Sequence, residues 1–213
     1  MLEIFHKGGP VMYPLLVCSL ISLTVIIERT FFWIIMKTGC GEKQLNELME
    51  FYRRKDWQNA DRITGSSGNY VIRVLSKGIS QEKQSVSKAM ESFARDEVQK
   101  MKRFMMILDT IITAAPLIGI LGTVIGIILS FDMLGAGIED PKVVTGGIAQ
   151  ALITTAYGLI IAILTLFPYN FFNSTIEDAV QTIEKYGTQL EIMLTGLQET
   201  DSAVSRTSDK RDQ

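Results

Sequence analysis

Apolar residues in this chain gather into long blocks instead of recurring at amphipathic spacing. The first covers residues 12–27 and resumes over 30–36 after Glu28 and Arg29; the second, 110–131, is uncharged between Asp109 and Asp132; the third, 143–176, holds no charged residue. A bilayer core about 30 Å thick is crossed by roughly 20 mostly apolar helical residues, so the pattern predicts three transmembrane helices. As helix, the third block is about 50 Å long and exceeds that thickness, which predicts tilt or projection beyond the bilayer. Beyond it Ile176, Val180, Ile183, Leu190, Met193 and Leu197 recur among Glu and Gln, the pattern of an amphipathic helix. Between the first two blocks, Leu45, Leu48, Met49 and Tyr52 fall at helical spacing, and Val86, Met90, Phe93, Glu97 and Met101 do so less cleanly. The polar cluster at residues 64–69 separates these helices, which are read as running on from the spans.

Charge sets the orientation. Fourteen of the 21 Lys and Arg residues lie between Lys37 and Arg103, whereas the connection between the second and third blocks carries only Lys142. Under the positive-inside rule the large loop is cytoplasmic, the N-terminus outside and the C-terminus inside. The expected layout is an N-terminal interfacial segment (1–10, outside), transmembrane helix 1 (11–36), a cytoplasmic helical domain (37–106), transmembrane helix 2 (107–134), a short external loop (135–142), transmembrane helix 3 (143–170), a cytoplasmic amphipathic helix (171–200) and a flexible tail (201–213). The fold class is an all-α membrane protein, three transmembrane helices extended into a cytoplasmic helical bundle. No small-x-small cleavage site follows Lys7 and its apolar run, and the bulky Val17 before Cys18 argues against lipoprotein processing, so the first helix is expected to be retained.

Candidate chemistry is sparse. The single histidine, His6, has no Cys/His/carboxylate cluster around it, and no glycine-rich loop ends in the Lys-Ser/Thr of a phosphate cradle. No paired acid and base or nucleophile sits at a membrane face, so no catalytic residue, cofactor or metal is expected and the chain reads as a non-enzyme. A net charge of −2 gives no ground for a nucleic-acid partner; lipid is the expected surroundings. Cys18 and Cys40 imply no disulfide framework. What the spans do concentrate is small and polar residues. Gly119, Thr123 and Gly126 share one side of the second, Gly122 with Gly126 forms a GxxxG pair, and on the third Gly147, Ala151, Thr154, Thr155, Gly158 and Ala162 share a stripe edged by Gln150. Two readings stay open: helix-packing seams with hydroxyls bonded to their own helix, or a polar cavity, which an amide at Gln150 favours. Asp109 and Asp132 read as solvated helix ends, Glu28 and Arg29 as a structural ion pair.

Lys7-Gly8-Gly9-Pro10-Val11-Met12-Tyr13-Pro14-Leu15-Leu16, leading to Val25-Ile26-Ile27-Glu28-Arg29, resembles the first-helix signature of ExbB/TolQ proteins. Ala115-Pro116 through Gly122-Thr123-Val124 and Gly126-Ile127, with Gly147-Ile148-Ala149, Ala151-Leu152, Thr155-Ala156 and Gly158-Leu159, are similar to that family's second- and third-helix motifs. The related MotA-type flagellar stators, with four spans, fit less well. The resemblance implies a homopentamer in a bacterial inner membrane, its second and third helices lining a pore that holds single-span ExbD/TolR-like subunits. It implies ion flow coupled to motion that transmits energy to the periplasm or outer membrane, with Thr123 and Thr155 matching the pore-facing threonines and Thr154 and Gln150 beside them. Gln150 departs from the Glu of many relatives, and an amide cannot take up and release a proton near neutral pH. The Thr154-Thr155 doublet resembles some sodium-driven stators, so the expected ion is H⁺ with Na⁺ as the alternative. The competing function is a non-conducting membrane scaffold built on the same seams.

Overall fold

A computed structural model describes residues 9–38, 42–80, 86–135 and 141–209. His6, Cys40, most of the expected interfacial segment and external loop, and the last four residues lie outside the described residues. Every described element is helical: α1 (Met12–Thr38), α2 (Glu42–Arg53), α3 (Trp57–Ser66), α4 (Tyr70–Ser80), α5 (Val86–Met101), α6 (Met105–Gly135) and α7 (Pro141–Asp209). Three helices contain stretches long and apolar enough to cross a membrane, Met12–Met36, Met105–Gly135 and Val144–Gly196. The chain divides into two compact units, one made of Met1–Thr30 with Arg103–Asn173 and the other of Phe31–Lys102 with Ser174–Gln213.

In the first unit the three apolar helices share a core of Met12, Leu15, Ile111, Ala115 and Ile161, with Cys18, Ile118 and Tyr157 packed against it. Gly9, at φ +68°, turns the chain into α1, and its carbonyl accepts from the amide of Met12 at 3.1 Å. Pro14 sits in the first turn of α1, where its missing amide has no helical partner to lose. Pro116 and Pro168 are helix-interior and each removes one ladder hydrogen bond, yet neither ends its helix.

The second unit buries Leu45, Leu48, Met49 and Tyr52 of α2 with Val71, Ile72, Val74 and Leu75 of α4 and Ile176, Ala179, Ile183 and Leu190 of α7. Two of its helices open on side-chain caps, one of them at the end of the polar cluster expected to separate the helices. Asn69 caps α4, its Oδ1 accepting from the amide of Val71 at 2.8 Å, and Asp56 caps α3 by accepting from Asn59. The turn at 54–56 has no glycine: Lys55 takes the left-handed conformation at φ 56°, and the amide of Asp56 reaches back to the carbonyl of Phe51, the closing bond of a Schellman-type helix end.

Two boundaries differ from the expected layout. α5 does not run on into the second span, because Phe104 at φ 64° breaks the helix before α6 starts at Met105. α7 instead runs unbroken from Pro141 to Asp209, past the expected helix end at 200 and into the segment read as a flexible tail. After Pro168 no proline follows, and the later glycines Gly187 and Gly196 are absorbed into the helix.

Candidate functional site

α6 and α7 pack antiparallel along a seam of small residues. Their contacts descend one helix as they climb the other: Ala115 meets Gly158, Gly119 meets Thr154 and Thr155, Gly122 meets Thr154, Gly126 meets Ala151, and Ser130 meets Gly147. The approach is close enough to require glycine. A methyl group on Gly158 would stand 2.5 Å from the carbonyl oxygen of Ala115, and one on Gly126 would stand 2.8 Å from Cβ of Ala151. Ser130 belongs to this seam, its hydroxyl donating to the carbonyl of Gly126 at 2.8 Å. Its position, four residues after Gly126, extends the GxxxG spacing by one small residue, and that was the signal available in the sequence.

The four polar residues grouped by the sequence fall in three places. Thr154 is inside the seam, 1% exposed, with its hydroxyl donating to the carbonyl of Ala151 at 2.7 Å, so it faces no open surface. Gln150 faces α1, its side-chain amide lying against Gly9, and Tyr157 packs on the same side against the Met12 and Leu15 core. Thr123 and Thr155 lie on the opposite edge. Each is one residue on from a seam residue, Gly122 or Thr154, and therefore about 100° round its helix. Both are half-buried. The hydroxyl of Thr123 donates to Ile120 of its own helix at 2.6 Å, whereas that of Thr155 crosses to the carbonyl of Gly119 at 2.8 Å. The edge of the α6–α7 pair turned away from α1 thus carries two threonines at one level, flanked by the exposed apolar residues Ile120, Ile127, Leu152 and Leu159.

Across this region the pair has no charge of its own, none between Asp109 and Asp132 and none from residue 143 to 176. Hydroxyl dipoles and helix carbonyls can offer ligands to a passing cation, but no side chain here exchanges a proton near neutral pH. At the other end of α1, Glu28 and Arg29 form a two-point ion pair, Nε to Oε2 at 2.5 Å and Nη2 to Oε1 at 2.7 Å. Arg29 is 2% exposed, and its guanidinium lies 5.7 Å from the ring centroid of Phe104, whose ring also receives Arg103 at 4.6 Å.

Residues 67–185 match the model of the MotA/TolQ/ExbB proton channel family. A putative biopolymer transport protein from Synechocystis sp., ExbB-like 3, is 31% identical over 192 residues, which cover 87% of this chain and 91% of the relative. A putative ExbB homolog of Methanothermobacter thermautotrophicus is 30% identical over 186 residues, 86% of this chain and 66% of the relative. The Tol-Pal system protein TolQ of Pseudomonas aeruginosa is 26% identical over 204 residues, 84% and 88% respectively.

Proposed function

The chain belongs to the MotA/TolQ/ExbB proton channel family, and from that premise we propose that it is the pore-forming subunit of a motor driven by an ion gradient. In this reading it is an inner-membrane protein with its N-terminus outside and its basic loop in the cytoplasm, the orientation that the charge asymmetry favours. Five copies surround ExbD/TolR-like single-span subunits, with the edge bearing Thr123 and Thr155 turned inward. Ion flow across the membrane drives motion that transfers energy toward the periplasm or outer membrane.

The observation that carries the reading is the alignment of Thr123 and Thr155 on one edge of an otherwise uncharged helix pair. A partner's carboxylate then carries the ion, and the threonines lower the cost of its passage through the membrane. Thr154 and Gln150 support that edge from behind, Thr154 by holding the seam and Gln150 by contacting the start of α1. The proton is the proposed ion and Na⁺ the alternative.

A second reading has one observation in its favour. The hydroxyls of Thr123, Thr154 and Thr155 are all satisfied within the chain, as a non-conducting scaffold would need. Copurification with the product of an adjacent reading frame, chain counting by native mass spectrometry and cation flux in liposomes separate the two. The motor reading expects about five copies with a single-span partner, and Thr155→Val assembling normally but passing no ion. Unchanged flux in that variant, or no copurifying partner, favours the scaffold.

A further inference from the structure

The threonine edge does not stop at Thr123. At about 100° per residue, Asp109, Thr113, Pro116, Ile120 and Thr123 fall within an arc about 80° wide on α6, on the side away from α1. On α7, Thr155, Leu159, Ala162, Leu166 and Tyr169 fall in an arc of about the same width, again opposite Gln150 and Tyr157. The two arcs border each other across the seam, and at their far end Tyr169 of α7 lies beside the Asp109 carboxylate. Asp109 is exposed, while Thr113, one turn further along α6, turns its hydroxyl back to the carbonyls of Asp109 and Thr110. Asp132, at the opposite end of α6, lies outside this arc. Read alone, Asp109 is a solvated helix end; on this edge it is the carboxylate of α6 that lies in line with the threonines.

We propose that Asp109 is a second ion-binding carboxylate, at the basic-loop end of the path, which receives the cation after it passes the threonines. This rests on the motor reading. Thr123 and Asp109 are 14 positions apart, about 21 Å of helix at 1.5 Å per residue, too far for one side chain to bridge. A carboxylate carried by a partner helix at the threonine level therefore needs a second acceptor to deliver the cation to the loop side. Asp109 is an acceptor-only group when ionised, and Tyr169 of α7 stands beside it.

The test uses the full chain with its copurifying partner in liposomes, with cation flux followed under a proton gradient and, separately, under a sodium gradient. Asp109→Asn is expected to lose flux roughly a hundredfold, the scale on which a positioned proton-transfer group acts. Asp109→Glu should keep most of it, and Asp132→Asn should behave as wild type. Chain counting checks that each variant assembles. Wild-type flux in Asp109→Asn overturns the site while leaving the motor standing. So does equal loss in the assembled Asn and Glu variants, or equal loss in Asp132→Asn. No flux from the wild-type complex under either gradient removes the motor reading itself, and the site with it.

Discussion

The hydroxyl of Thr155 donates across the helix pair to the backbone carbonyl of Gly119, at 2.8 Å, rather than along its own helix. Gly119 sits mid-helix, so that carbonyl also accepts from the amide four residues on and is not orphaned when the hydroxyl is removed. Thr155→Val is therefore expected to cost only about 0.5–1.5 kcal/mol of stability. Thermal unfolding in detergent checks this. A small shift beside a large loss of flux assigns the hydroxyl to the ion, and a collapse of the fold assigns it to packing.

The seam makes a sharper demand on its glycines. Gly158→Ala sets a methyl against the backbone of Ala115, which cannot rotate away, so the helices must separate, and a loss of about 1–3 kcal/mol is expected. Gly187, on the same long helix, has nothing within 4 Å of the position a methyl would take. Gly187→Ala should be neutral or stabilise by about 0.5–1 kcal/mol through the lower helix propensity of glycine. Yield and melting temperature of the two variants, measured side by side, decide whether the small-residue stripe is a packing requirement.

Those two glycines also mark what the sequence discloses. Blocks of apolar residues reveal the three long helices, because block length against bilayer thickness needs no tertiary information. Spacing places Gly119, Gly126, Ala151 and Gly158 on common faces, but it cannot say which edge of a face meets a third helix. Thr154, Thr155 and Gln150 thus read as one group, until α1 settles on the Gln150 side and leaves Thr155 on the other. The turns at Lys55 and Phe104 were illegible for a different reason. A left-handed residue is signalled by glycine or asparagine, and here a lysine and a phenylalanine occupy those positions. Asp109 was visible as a charge at a helix end, but its alignment with the threonines needed the α1-facing side of α6 to be known first.

Phe104 pairs a cost with a gain. A bulky residue in the left-handed region is strained by about 1–2 kcal/mol, and its ring receives the guanidinium groups of Arg29 and Arg103. Phe104→Ala keeps the backbone strain and loses the ring, so it should destabilise by about 1–3 kcal/mol. Phe104→Gly loses the ring but relieves the backbone, and should fall between Ala and wild type. If glycine proves worse than alanine in detergent melts, the strain at this break is not a significant cost.

Glu97 predicts how the second unit responds to acid. Its carboxylate is buried between Arg73 at 2.7 Å and Lys100 at 2.8 Å, joining α4 to α5. Burial pushes its pKa up, but hydrogen bonds from the two cations and their charges outweigh that and hold it below the ordinary 4.5. A carboxyl with a depressed folded pKa contributes stability that is fully present above its unfolded value and is lost as pH falls through the folded one. The unit should therefore hold its stability from neutral pH down to about 4.5 and weaken below it. Glu97→Gln keeps the shape, loses about 1–3 kcal/mol at pH 7 and flattens this acid limb. Melting temperature against pH for both proteins gives the comparison, and a variant whose acid limb matches wild type would assign the limb to other carboxylates.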